Sequence, residues 1–168
     1  QLINACKVGI CSCSKAKVKL TNSYWMVRYV INEHWPYYQY SDLGKEDDWL
    51  TKKLGRLYFR IANWRQPTII ESNGFKDYFK AGCHMVQFGN STDLIYLSKT
   101  EECTDRLSYI YNKVKDDTVL IVGDIRHDKE LWEKIKTDER TRITFDLYYC
   151  GIVLFDRKRH KHNYIINF

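Results

Sequence analysis

The chain has 168 residues, of which 44% are hydrophobic and 15% aromatic, with few prolines and glycines. This is enough apolar material for one folded core, and it excludes a disordered or fibrous chain. No run of about 18 apolar residues occurs, so we expect that no segment spans a membrane. The formal net charge of +6 is a modest excess of positive charge. It is compatible with binding to acidic glycans, anionic membranes or nucleic acid, but it does not by itself indicate any of these partners.

The cysteines indicate the redox compartment. Zinc sites usually show two close pairs of ligands, whereas only the stretch 6–13 is a tight cluster here. We therefore predict disulfide bonds in an oxidising compartment, with the pairing left open. The alternative for Cys103 and Cys150 is a buried thiol. The predicted disulfide residues are Cys6, Cys11, Cys13, Cys83, Cys103 and Cys150.

Two further features agree with secretion. The chain begins at Gln1 without an initiator Met, which favours a mature protein whose signal peptide has been removed, the alternative being a trimmed chain. The sequon Asn90-Ser91-Thr92 lies in a polar break between two apolar runs, where a glycan would not disturb a core. We therefore predict an extracellular glycoprotein glycosylated at Asn90, for which nucleic acid is not a partner.

The first 70 residues are predicted to form an N-terminal extension and three strands. Residues 1–55 are expected to form a cysteine-containing extension that packs on a core of residues 56–168. The aromatic and β-branched run Tyr24–Ile31 predicts a strand, and so do Leu57–Ile61 and Thr68–Ile70.

The remaining pattern alternates helices and strands. His84–Phe88 and Leu94–Leu97 flank a five-residue polar break and predict a β-hairpin. Apolar residues at helical spacing then predict two helices, and apolar runs predict the strands around them. These elements are a helix after Ser98 or Thr100 to about Lys115, a strand at 118–122, a helix at 128–136, and strands at 143–155 and 163–168. The fold class is α+β, a mixed sheet or sandwich with two packed helices, stabilised by disulfides.

This order of elements resembles the secreted cytokine-like family of interleukin-like EMT inducer (ILEI) and pancreatic-derived factor over roughly residues 57–158. Tyr58-Phe59-Arg60-Ile61 is similar to the family's first strand, and 84–97 is similar to its apolar hairpin. The passage 113–124 and the segments 128–136 and 151–154 resemble the helix, buried strand and later elements. The resemblance implies an ILEI-like domain that acts by protein contact.

Catalytic and metal chemistry is poorly supported by the sequence. No nucleophile elbow, phosphate-binding glycine loop or zinc-protease motif occurs. The acidic pairs at 47–48 and 116–117 are adjacent, so on an extended chain they point to opposite sides and suit solvated turns. His160 and His162 share a strand face, but the surrounding cations oppose a metal. We predict no enzyme activity and no cofactor.

Two segments are candidate binding surfaces. The basic run after residue 156 is expected to project from a hairpin tip toward an acidic glycan or protein; the alternative is a solvated turn that protects a sheet edge. Its cationic residues are Arg157, Lys158, Arg159 and Lys161. An aromatic segment is either an exposed contact surface or packs the N-terminal segment onto the sheet. It consists of Trp35, Tyr37, Tyr38 and Tyr40.

The sequence therefore predicts a secreted, non-enzymatic binding protein. Its partner is an extracellular protein receptor or ligand. Frequent Ile, Lys and Tyr are typical of AT-rich coding sequence, so a pathogen decoy that modulates host immunity is a variant of this hypothesis. The alternatives are an extracellular glycan-binding module and a lipocalin-like carrier with Tyr24–Ile31 as its first strand. Two amphipathic helices after residue 98 oppose the closed barrel of a carrier.

Overall fold

The computed structural model describes residues 23–98 and 103–168. The chain divides into two compact units: Gln1–Gln66 with Asp77–His84, and Pro67–Lys76 with Met85–Phe168. The boundary predicted at residues 55 and 56 falls inside a helix of the first unit. Within the described ranges, no helix is long and apolar enough to cross a bilayer.

The first unit is helical where it is described. Helix α1 (Ser23–Met26) continues directly as a π-helical turn (Val27–Ile31). A 3-10 turn (Tyr38–Ser41) precedes helix α2 (Trp49–Arg65). Helix α3 spans Lys76–Gly82. Its first residue, Lys76, is assigned to the second unit, and its other residues are assigned to the first.

Local capping explains the bounds of α2. The Asp48 carboxylate accepts a hydrogen bond from the Thr51 amide at 2.6 Å, which satisfies one of the donors left open at a helix start. This bond is the main reason that the pKa of Asp48 is lowered. Gln66 ends the helix in the left-handed conformation, with φ of 46°. The acidic pair predicted as a solvated turn therefore contains a helix cap.

Two predicted strands are wrong. Tyr24–Ile31 is helical, and Leu57–Ile61 lies inside α2. Every residue from 57 to 62 is buried, the charged Arg60 included, so the stretch has no exposed polar face that would reveal a helical period. A short and mostly apolar run fits a buried strand and a buried helix equally well, and its flanks decide between them.

The second unit contains one seven-stranded mixed sheet among the described residues, in the order β2-β1-β3-β4-β6-β5-β7. Strands β1 to β4 are mutually parallel, β6 runs antiparallel to β4 and β5, and β7 is parallel to β5. The strands are β1 (Ile69–Glu71), β2 (Gln87–Phe88), β3 (Leu94–Leu97), β4 (Val119–Gly123), β5 (Ile143–Asp146), β6 (Cys150–Leu154) and β7 (His162–Ile165).

The predicted hairpin is also wrong. Strands β2 and β3 do not pair with each other; they lie on opposite sides of β1 and run parallel to it. The polar break between them bonds to β1 instead, because the Ser91 hydroxyl donates to the Ile69 carbonyl at 2.6 Å and the Gly89 amide donates to the Ile70 carbonyl at 3.1 Å. The break is therefore a crossover and not a tight turn.

Two helices pack on one face of the sheet, as predicted. Helix α4 (Cys103–Lys113) and helix α5 (Lys129–Thr137) bury their apolar faces in one cluster with side chains of β3, β4 and β6. The Asp128 carboxylate caps α5 by accepting from the Leu131 amide at 3.0 Å. The mixed α and β character and the mixed sheet of the prediction are confirmed. Disulfide stabilisation is not shown.

Candidate functional site

The ends of the parallel strands bring together exposed and half-buried polar side chains. We call this group the carboxyl edge. In open α/β sheets, ligands bind outside the carboxyl ends of the strands, at the point where the strand order reverses. The order β2-β1-β3-β4 places that point between β1 and β3. The carboxyl edge consists of Asn73, Ser98, Asp124, Arg126, His127 and Tyr148.

A side-chain pair lies at the reversal point itself. The Asn73 amide nitrogen donates to the Ser98 hydroxyl at 2.8 Å, and that hydroxyl lies 3.1 Å from the Asn73 carbonyl oxygen. Beside this pair, the Phe75 ring meets the Tyr96 ring edge-on at 5.7 Å. Because Asn73 follows β1 and Ser98 follows β3, the pair joins the two strands across the crevice.

The residues after β4 form a second polar group at the same edge. The Asp124 amide donates to the Tyr149 carbonyl at 2.8 Å. The Asp124 carboxylate lies 2.7 Å from His127 Nδ1 and 3.8 Å from Arg126 Nε. Because an ionised carboxylate can only accept, His127 Nδ1 is the donor in this contact.

An aromatic turn completes the edge between β5 and β6. The Tyr148 side chain is 61% exposed, and its ring meets the Tyr149 ring edge-on at 4.9 Å. The Arg126 guanidinium lies 5.9 Å from the first ring and 5.1 Å from the second. The Tyr148 amide donates to the Asp146 carboxylate at 2.9 Å, which holds the turn in place.

Backbone strain is concentrated at this edge. Among the described residues, four non-glycine residues have a positive φ, and one of them, Gln66, is the cap of α2. The other three are Phe75 (56°), Asp124 (55°) and Tyr148 (69°), which follow β1, β4 and β5. Strained backbone of this kind costs about 1–3 kcal/mol per residue and clusters at functional sites. This marks the carboxyl edge as the candidate site.

The basic segment lies elsewhere, and it is not a hairpin tip. Strand β7 pairs with β5 and not with β6, so residues 157–161 connect two strands that are not neighbours. Arg157 Nε lies 2.9 Å from the Asp116 carboxylate, and Arg159 Nε lies 3.1 Å from that of Asp156. Lys158 is exposed, and its side chain forms no ion pair within the described ranges.

Lys161 has a structural contact. Its ammonium donates to the Thr137 carbonyl at 2.9 Å and to the Asp138 carbonyl at 2.8 Å, at the end of α5. Cations at this position satisfy open carbonyls and favour the helix dipole. Arg140 donates to the Asp138 carboxylate and is the main cause that lowers the pKa of Asp138. The side chains predicted to bind an acidic partner therefore mostly bind their own chain.

The glycosylation sequon is exposed at Asn90, but the side chain is engaged. The Asn90 amide nitrogen donates to the Tyr109 hydroxyl at 2.8 Å, and its oxygen accepts from the Lys113 ammonium at 2.7 Å. Addition of a glycan would leave the amide nitrogen with one hydrogen in place of two. Glycosylation stays a prediction.

The cysteines divide into three groups. Cys6, Cys11 and Cys13 lie outside the described residues, and Cys103 is the first residue of α4. Cys83 and Cys150 are buried, with 5% and 0% of their surface exposed, and no disulfide bond is formed within the described ranges. The disulfide framework stays a prediction. The same ranges contain no group of histidine, cysteine and acidic side chains suited to a metal.

The aromatic segment is partly packed and partly exposed. The Tyr37 and Tyr40 rings pack edge-on against Phe59, at 5.0 and 5.2 Å. Burial is the main reason that the pKa of Tyr37 rises to about 12. Trp35 and Tyr38 keep 46% and 63% of their surface exposed.

Sequence reasoning missed the carboxyl edge because it read β2 and β3 as a hairpin. The available signal was that two apolar runs, 68–70 and 118–122, are each followed by polar residues. No protein-family model matches the chain, and neither a curated protein nor a solved structure matches it. The ILEI resemblance stays a prediction, and two elements on which it depends, the strand at 58–61 and the hairpin at 84–97, are not formed.

Proposed function

We propose that the chain is a binding protein whose carboxyl edge binds a nucleoside or a cofactor that contains one. One observation carries this proposal: three strained residues follow strands β1, β4 and β5 at the edge where open sheets bind ligands. The strained backbone is costly, so we expect it to hold side chains in a required position.

The side chains at the carboxyl edge suit the parts of a nucleoside. The exposed Tyr148 ring offers a face on which a planar base can stack. Asp124 and Asn73 supply hydrogen-bond acceptors and donors for sugar hydroxyls. The stretch 72–75 after β1 has one glycine and no cation, unlike a phosphate-binding loop. The proposal therefore favours a ligand without a phosphate at this position.

A calorimetric titration with four probes tests the proposal. We expect adenosine and S-adenosylmethionine to bind more tightly than AMP and NAD, because the stretch after β1 carries no cation and the Arg126 guanidinium is already engaged by the Asp124 carboxylate. Tyr148→Ala should weaken adenosine binding about tenfold, since one base–aromatic stack is lost. Tyr148→Phe keeps the ring and is the matched control. Equal affinity in the Ala variant, or tightest binding of AMP, would contradict the proposal.

A second candidate function is the secreted ligand or decoy that acts by protein contact. It is favoured by the exposed rings of the first unit, because tryptophan and tyrosine dominate the energetics of protein interfaces. These rings are Tyr24, Tyr29, Trp35, Tyr38 and Trp49, each at least 42% exposed.

Capture from a set of extracellular proteins tests this second candidate. We expect one dominant protein to bind, and the double variant Trp35→Ala with Tyr38→Ala to weaken its binding at least tenfold, as for interface hot spots. The control is Met85→Ala, which removes an exposed apolar side chain of the second unit that is not among these rings. Equal capture by the double variant and the control, or retention on sulfated glycans alone, would exclude the aromatic segment as the contact.

A further inference from the structure

The Tyr96 side chain points toward the carboxyl edge. Tyr96 lies in β3 opposite Ile121 of β4, yet its hydroxyl approaches Gly123, two residues further along that strand. Two residues of a strand span about 6–7 Å, so the phenol is directed along β3 toward the ends of the parallel strands. Its neighbours Ile95 and Leu97 pack in the cluster under the two helices, so Tyr96 lies on the opposite face of the sheet.

The Tyr96 ring lies between two glycines. A Cβ added to Gly74 would lie 3.4 Å from Cε1 of the ring, and one added to Gly123 would lie 2.9 Å from the hydroxyl and 3.6 Å from Cε2. The two edges of the ring therefore face the segment after β1 and the end of β4. The Phe75 ring meets the phenol edge-on at 5.7 Å, and Tyr96 is only 6% exposed. The phenol thus occupies the space between these two segments, beside the point where the strand order reverses.

We propose that Tyr96 is a specificity-determining residue of the carboxyl edge, which limits how far a ligand enters between the ends of β1 and β4. The inference rests on the proposed function, in which Asn73 and Asp124 contact the sugar hydroxyls of a nucleoside. The chain neighbours of these two residues, Gly74 and Gly123, are the glycines that contact the ring. A nucleoside with free 2′ and 3′ hydroxyls is accepted beside the ring, whereas a bulky group on either hydroxyl collides with it.

A comparison of two probes tests this limit on the whole chain. The probes are adenosine and its 2′/3′-O-(N-methylanthraniloyl) ester, each titrated calorimetrically. We expect wild type to bind the ester at least about tenfold more weakly than adenosine, because the added ring has no room beside the phenol. Tyr96→Val removes the phenol and keeps a side chain suited to a strand. In this variant we expect the difference between the probes to fall to about threefold or less.

A second variant tests the same contact without removal of the ring. In Gly123→Ala the added Cβ should displace the phenol toward the ligand and weaken adenosine binding about fivefold. Tyr96→Phe removes the hydroxyl that the Cβ meets, and the next contact is a ring carbon at 3.4 Å. In that background Gly123→Ala should change adenosine binding by less than about twofold. The control is Gly89→Ala, whose added Cβ has only one distant neighbour, and it should leave binding unchanged.

The outcomes separate this inference from the proposed function. If wild type does not bind adenosine, both are wrong. If wild type binds adenosine, two results overturn the inference alone. The first is the same ratio of probe affinities in wild type and Tyr96→Val, and the second is an equal effect of Gly123→Ala with and without the Tyr96 hydroxyl. Circular dichroism of each variant checks that the fold is retained.

Discussion

Replacement of Arg60 by Met should lower the free energy of unfolding by about 3 kcal/mol, because loss of the buried guanidinium leaves two carbonyls at a helix end without a hydrogen-bond donor. The Arg60 side chain is 7% exposed. Its Nε donates to the Val30 carbonyl at 2.6 Å, and one terminal nitrogen donates to the Ile31 carbonyl at 2.9 Å. These are the last residues of the π-helical turn, so one side chain of α2 closes the end of the first helical segment.

Urea unfolding followed by circular dichroism measures this loss. Arg56→Met is the matched control, because it removes an exposed guanidinium from the same helix. The Arg56 guanidinium lies 5.0 Å from the Tyr40 ring. We expect the control to lose less than about 1 kcal/mol. If both variants lose the same amount, the carbonyl contacts of Arg60 do not stabilise the unit. Arg60→Lys should lie between them, since one ammonium replaces a guanidinium that serves two carbonyls.

The second large effect is expected at Gly151. A Cβ added there would lie 2.3 Å from Cη2 of Trp132, which is 4% exposed and whose indole nitrogen donates to the Asp146 carboxylate at 2.8 Å. Gly151→Ala must therefore displace the indole or the strand. We expect a loss of about 3 kcal/mol in the free energy of unfolding, as for overpacked cores.

A double-mutant cycle identifies the cause of that loss. In a Trp132→Leu background, Gly151→Ala should cost less than about 1 kcal/mol, because the clashing ring is gone. Gly89→Ala is the control for glycine replacement itself, since its added Cβ would meet nothing closer than the Ile69 methyl at 3.9 Å. If the cost at Gly151 is the same in both backgrounds, the indole is not the group that requires a glycine.

The sequence predicted the second unit better than the first. Helix α5 and strand β4 were expected within two residues of their observed bounds, because an Asp cap and a continuous β-branched run act locally. The buried stretch 57–62 and the aromatic stretch 24–31 carried no such local signal. Their conformation depends on long-range contacts, such as the bonds of Arg60 to the carbonyls of residues 30 and 31.

The candidate site depended on topology even more strongly. Asn73 and Ser98 are 25 residues apart, and only the parallel pairing of β1 with β3 brings them into hydrogen-bonding contact. A hairpin at 84–97 would pair β2 directly with β3, so the predicted sheet did not place Asn73 beside Ser98. Likewise, the cations at 157–161 formed a patch in the sequence, but the fold gives three of them intramolecular partners.

By itself, the sequence determined the mixed α and β composition, the two helices on the sheet and the buried strand β4, because spacing and capping act over a few residues. The tertiary structure alone decided which strands are neighbours, which edge gathers polar side chains and which cations are engaged. Strand pairing is set by contacts between distant residues, and a short apolar run does not encode its partner.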